Sequence, residues 1–210
     1  GSLATFVDGQ HLNLARATSA QAYPGVAITR TVLLCDEYLI DIVQAASPTE
    51  HTYDWVYHNY GTLTSDLPLK PAGSAPGKSG GYEFLKNVRQ GYAWASWQAE
   101  WTLAAGRKVR LHMPAGGAAE VWTAEGMVAA PDGDETSSEN VPLLIARNWG
   151  QSARYLAIVE PYAAEPAISQ IRSLQVTAEG LSASSPEPVG LRIHHGHTID
   201  TLLLSQPGSQ

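Results

Sequence analysis

Residues 38–61 form the stretch that most narrows what this chain can become: two apolar runs separated by Ser47-Pro48-Thr49, the second loaded with His and aromatic residues. Leu39, Ile40, Ile42 and Val43 suit a well-buried strand, and Ser-Pro-Thr is turn chemistry. The chain reads as extended again from His51 to His58, so the pattern predicts a β-hairpin here. Alternation in its second strand sets His51, Tyr53, Trp55 and Tyr57 on one face and Thr52, Asp54, Val56 and His58 on the other. One face is therefore aromatic.

The remaining segments read the same way. Residues 3–24 suggest a strand or two, and the β-branched run 26–34 follows the turn signal Pro24-Gly25 and should pair with 38–45. Residues 62–81, with Pro68, Pro71 and Pro76, predict a loop whose length marks it for function or motion. If 91–103 is one strand, Ala93, Ala95, Trp97, Ala99 and Trp101 face inward and Tyr92, Trp94, Ser96, Gln98 and Glu100 outward. Residues 107–113 should return as its hairpin partner, and 119–123 as a short strand. A second hairpin is expected from 141–149 and 154–161 around Gly150-Gln151-Ser152, with closing strands near 168–176, 189–194 and 198–204. No segment carries a convincing helical period. Short strands between turn residues predict an all-β fold, an antiparallel β-sandwich of two packed sheets, as one domain over 3–206. Gly1-Ser2 reads as an expression scar.

Composition excludes several function classes. A net charge of −7 argues against nucleic acid as a partner, which calls for a basic field, and no run of 18 or more apolar residues is present to span a membrane. A polyanion would be repelled overall except at two basic clusters, Lys78, Lys86 and Arg89, and Arg107, Lys108 and Arg110. The lone Cys35 lies in an apolar run and reads as a buried thiol.

Several motifs in order resemble one family. Residues 30–34 (Arg-Thr-Val-Leu-Leu), 38–41 (Tyr-Leu-Ile-Asp), 51–55 (His-Thr-Tyr-Asp-Trp) with His58 and Gly61, and downstream 142–147 and 155–161, resemble the C-terminal β-sandwich of heparinase II/III-type polysaccharide lyases, a group that includes oligo-alginate lyases. The resemblance implies a parent enzyme with an (α/α) toroid ahead of the sheet region, acting in a secreted or periplasmic setting. The family's catalytic Tyr, His and Asn, and its His-x-His metal motif, lie upstream of the Arg-Thr-Val strand. About thirty residues precede that strand here and carry neither motif, so no catalytic position transfers.

The expected function is accordingly a noncatalytic carbohydrate-binding module whose partner is polysaccharide, acidic kinds included, held by strand and loop aromatics. The candidate residues are Trp94, Tyr92, Trp122 and Tyr60 as ring platforms, with Arg89 and Lys86 as nearby cations. Two alternatives stand beside it. One is a lyase fragment using His51 or Tyr53 as general acid or base in β-elimination; the other is a structural domain packing on a lyase toroid. No cofactor is required, although Asp132, Asp134 and Glu135 in an acidic loop offer oxygen ligands of the kind calcium takes, without completing an EF-hand. His194, His195 and His197 on a tight turn read as solvated imidazoles, since adjacent strand residues point to opposite faces.

Overall fold

The computed structural model describes residues 1–115, 120–129, 138–176 and 188–204. In chain order the strands are β1 (Ser2–Asp8), β2 (Leu12–Tyr23), β3 (Val26–Cys35), β4 (Leu39–His58), β5 (Thr62–Ser65), β6 (Lys70–Pro71), β7 (Lys86–Tyr92), β8 (Trp97–Thr102), β9 (Lys108–Met113), β10 (Glu120–Ala129), β11 (Ser138–Tyr162), β12 (Ile168–Leu174), β13 (Val189–His195) and β14 (Thr198–Leu204). All described pairings are antiparallel, and the all-β sandwich expectation holds.

Neither hairpin expected around Ser47-Pro48-Thr49 and Gly150-Gln151-Ser152 forms. β4 and β11 are each one long strand, and they pair along almost their whole length, from Leu39 opposite Val159 to His58 opposite Leu143. Gly150 stands opposite His51 and Ser152 opposite Ala46, so residues 47–50 face Gln151 alone. The two turn-like tripeptides are thus the two sides of a single bulge. Turn chemistry marks where a chain leaves the regular pleat, and periodicity alone does not separate a reversal from a bend.

The bend is well held. His51 Nε2 lies 3.1 Å from both Ser47 Oγ and Thr49 Oγ1. Gln151 donates to the Pro48 carbonyl at 3.2 Å, and the buried Tyr155 hydroxyl donates to the Tyr53 carbonyl at 2.6 Å while accepting from the Asn148 amide at 3.1 Å. Gly150, at φ 141°, occupies backbone space that a side chain would oppose.

Bending the β4–β11 ribbon divides the large sheet into two leaves. One, leaf A, contains β1, β2, β3, residues 39–46, residues 152–162, β9, β8 and β5; the other, leaf B, contains residues 51–58, residues 138–150, β10, β7 and β6. Their inner faces share a core of Trp55, Trp97, Trp101, Leu111, Val121, Leu144 and Tyr155. Trp55 of leaf B donates its indole N–H to Asp41 of leaf A at 3.0 Å, where Arg30 also donates through two bonds of 2.8 and 2.9 Å. Trp101 of leaf A reaches the Pro142 carbonyl of leaf B and meets Tyr57 edge-on at 5.1 Å. A buried carboxylate with three donors is satisfied, which is what its burial requires.

The outer faces are covered differently. On leaf A, Leu33, Ile40, Ile42 and Ile158 pack against Ile168, Val189, Leu191 and Ile193 of the three-stranded sheet β12–β13–β14. On leaf B, Trp122, Ala124, Leu143 and Ile145 lie beneath Ala72, Tyr82 and Leu85 of the segment between β6 and β7.

Candidate functional site

Directly opposite residues of antiparallel strands share a face, so Tyr92, Glu120, Arg147 and Asp54 form one row across the outer side of leaf B. Trp149, two residues beyond Arg147, continues this face and is 66% exposed. At the other end of the row Trp94, 86% exposed, stacks on Tyr92, itself 51% exposed, with ring centroids 6.1 Å apart and planes within 21°. Gln90 donates its side-chain amide to Glu120, the neighbour of Tyr92 in the row. The result is a shelf of solvent-facing rings bordering a polar row.

The shelf ends where the 72–85 segment begins, and a charged clamp fixes that boundary. Arg147 grips Asp54 through two bonds of 2.7 Å and donates to the Pro76 carbonyl at 2.8 Å, while the Tyr82 hydroxyl donates to the same carboxylate. The guanidinium lies 5.8 Å from the Tyr82 ring centre. Its hydrogen bond to Asp54 holds the Arg147 pKa above the usual value, and burial together with Asp54 pushes the Tyr82 hydroxyl up to about 12. Gly77 has a physical reason to be glycine, since a Cβ there would come within 2.5 Å of the Tyr82 ring.

The six binding residues expected from sequence do not converge. Tyr92 and Trp94 come together on the shelf. Trp122 shares the same face but is 6% exposed beneath the 72–85 segment, so it does not serve as a surface platform as expected. Its Nε1, like that of the buried Trp97, finds no partner among the described residues. Arg89 reaches the Leu69 carbonyl at 2.6 Å, and Lys86 lies at the opposite end of β7, opposite Glu125. Tyr60 follows the far end of β4, six residues beyond the Asp54 row, which is about 20 Å along a strand.

The single strand expected over 91–103 is in fact two, β7 in leaf B and β8 in leaf A, with residues 93–96 crossing between them. Inward alternation survives at Ala93, Trp97, Ala99 and Trp101, but Ala95 is exposed. Tyr92 and Gln98 therefore sit on outer faces of different leaves, and Trp94 stands on the rim between them. Trp149 was not anticipated as part of this surface; only the pairing register, which sets Arg147 in one row with Glu120 and Tyr92, brings it there.

His51 and Tyr53 are structural in their contacts. His51 holds the bulge through two hydroxyls, and the buried Tyr53 directs its hydroxyl at the Gln151 carbonyl at 3.4 Å. Asp132, Asp134 and Glu135 lie outside the described residues. Among the described residues no group of three or more His, Cys, Asp or Glu is arranged to hold a metal ion. His195 is separated from its sequence neighbours by partners of its own, Glu37 at 2.7 Å and Asp200 at 2.8 Å. The Lys108 and Arg110 cluster is engaged as well, both cations bonding Glu100 and Arg110 also bonding Tyr162. Although burial opposes ionisation of Glu100, donors from Tyr162, Lys108 and Arg110 hold its pKa down to about 2.

The sequence matches no protein-family model and no curated protein sequence. Solved structures do match. The heparan sulfate lyase HepC from Pedobacter heparinus superposes on 97% of this chain at a TM-score of 0.64 and 14% identity, over 27% of its own length. A heparinase III structure covers 98% of the chain at 0.65 and 13% identity, and the heparinase III BT4657 gene product 98% at 0.65 and 8%, each again over 27% of its own length. The fold is one that heparinase III contains. At such identity the heparinase III match carries the fold and no residue roles, and this chain spans about a quarter of the proteins it resembles. The sequence resemblance to a heparinase II/III-type sandwich without its toroid agrees with the heparinase III match in fold and in extent. Among the described residues no helix is long and apolar enough to cross a membrane.

Proposed function

We propose that this chain is a noncatalytic polysaccharide-binding sandwich of a lyase-type protein, working outside the cytoplasm where polymeric glycan is met. The observation that carries the reading is the stacked, solvent-facing pair Tyr92–Trp94 on the rim of a sheet face. Sugar rings present apolar faces that aromatic planes cover, and neighbouring amide and carboxylate groups such as Gln90 and Glu120 can meet the hydroxyls. The engaged state of His51 and Tyr53 favours binding over proton transfer.

Affinity electrophoresis and calorimetry against neutral and acidic polysaccharides test it. Trp94→Ala should weaken binding at least tenfold while leaving the melting temperature unchanged, because an 86% exposed ring contributes little to the fold. No binding to any polysaccharide, or binding indifferent to Trp94→Ala, rejects the reading.

A packing role on a helical toroid is the second reading. It draws on β1, a sheet edge whose Leu3, Phe6 and Val7 are exposed. Light scattering of this chain mixed with the toroid of a heparinase II/III-type lyase would detect the complex, and its absence counts against this role.

A further inference from the structure

Behind the rim on which Trp94 stands, a cleft of about 440 Å³ runs between the β8–β9 end of leaf A and β12 of the small sheet. Its volume falls within the range of small-molecule sites, about 300–1,000 Å³. Both successive residues and alternate ones of β12, from Ile168 to Ile171, border it, so the strand presents its edge to the cleft. The facing wall carries Ser96, Gln98 and Asp66, with Trp97, Met113 and Ile171 supplying apolar surface.

The cleft is a fixed feature of the fold. Asp66 and Gln98 are joined by two backbone-anchored bonds, Gln98 N to Asp66 Oδ1 at 2.9 Å and Asp66 N to Gln98 O at 3.2 Å. His112, buried at its floor, is held by Glu160 at 3.0 Å, and Glu160 in turn accepts the amides of Ala167 and Ile168. That buried pair ties the start of β12 to leaf A and so sets the cleft's width. Burial opposes the charge on Glu160, but His112 and these amides hold its pKa below the ordinary value.

The chemistry of the lining selects its occupant. Serine hydroxyls and glutamine amides both donate and accept, which matches vicinal sugar hydroxyls. Among the described residues no lysine or arginine lines the cleft, and Asp66 adds a carboxylate. An anionic group would enter without a cation to pair with and would lose its hydration, a cost that unpaired charge does not recover. The cations nearby on leaf A are bound to Glu100.

We infer that the cleft between β8–β9 and β12 seats uncharged sugar residues, so that the glycan this sandwich takes is a neutral polysaccharide or a neutral stretch of one. The inference rests on the polysaccharide-binding reading and adds to it a second contact region and a ligand class. Ser96 follows Trp94 by two residues, so the rim ring and the cleft wall lie within about 7 Å along the backbone.

The test is calorimetric titration with disaccharides and hexasaccharides of β-1,4-glucan, β-1,4-xylan and β-1,4-mannan, beside alginate and heparan sulfate hexasaccharides. The proteins are the wild type, the Gln98→Ala/Gln170→Ala double variant and Trp94→Ala. Both glutamines are exposed, so the double variant should melt with the wild type. At least one neutral hexasaccharide should bind more tightly than either acidic one, with the double variant losing tenfold or more. Tighter binding of alginate or heparan sulfate overturns the neutral class. A double variant with wild-type affinity, while Trp94→Ala still loses binding, overturns the cleft and leaves the polysaccharide reading standing; no binding of any probe removes both.

Discussion

The two outer faces of this sandwich belong to one continuous sheet, yet they are closed by opposite means. Leaf A is covered by a second sheet, and the contact is aliphatic, Leu33, Ile40, Ile42 and Ile158 against Ile168, Val189, Leu191 and Ile193. Leaf B is covered by an irregular segment whose hold depends on one arginine gripping Asp54 and the Pro76 carbonyl. A regular sheet matches strand with strand and seals the aliphatic face it overlies. An irregular cover stops where its polar anchors stop, and the face beyond it, with Tyr92, Trp94 and Trp149, remains open to solvent. The solvent-facing aromatic shelf of this fold is what an incomplete cover leaves behind.

Two substitutions break the comparison from either side. Arg147→Ala should have the largest effect, about 4 kcal/mol in urea unfolding, since it leaves the Asp54 charge, at 11% exposure of its side chain, without its cation and with the Tyr82 hydroxyl as its remaining side-chain donor. Hydrogen exchange should rise first in residues 72–85, with β12–β14 unaffected. A cost under about 1 kcal/mol would mean that the clamp is not what holds this cover. Leu191→Ala removes a fully buried side chain from the aliphatic cover and should cost about 3 kcal/mol. Here exchange should rise in β12–β14 while residues 72–85 stay protected; a rise in both segments would show that the covers are coupled through the leaves.

The aliphatic cover was legible in the sequence, because runs such as Val-Leu-Leu at 32–34 and Leu-Ile-Asp-Ile at 39–42 carry their burial in composition. So were the strand pairs 26–34 with 38–45, and β8 with β9, where loops are short and alternation is regular. The β4–β11 ribbon was not. Ser47-Pro48-Thr49 satisfies a turn and a bulge equally, and the choice between them is made by Gly150, a hundred residues away, lying opposite His51. The site suffered the same ambiguity. Tyr92 and Trp94 were identifiable as rings on a polar background, but the burial of Trp122 depends on where the 72–85 segment lies, and that depends on Asp54, Tyr82 and Arg147 meeting from three distant parts of the chain.

The smallest expected effect separates the two covers by pH. His195, with a side chain only 13% exposed, donates from both ring nitrogens when protonated, to Glu37 beside leaf A and to Asp200 of its own sheet, and Asp200 also takes the Tyr38 hydroxyl. Burial disfavours its charge, but the bonds to Glu37 and Asp200 outweigh that and raise its pKa. Because the folded value lies above the unfolded one, near 6.5, the added stability is complete below that pH and is lost as pH rises through the folded value. Glu37 and Asp200 are half exposed, so solvent screening limits the effect to about 1 kcal/mol. Tyr38 and Cys35 line a separate pocket with His195, between the β3–β4 turn and β13–β14, and are both shifted upward, first by burial, so neither supplies a compensating charge near neutrality. His195→Gln should flatten the fall in stability as pH rises from about 6.5. Identical slopes would place the pH dependence elsewhere, and an equal loss of protection in residues 72–85 would tie it to the other cover.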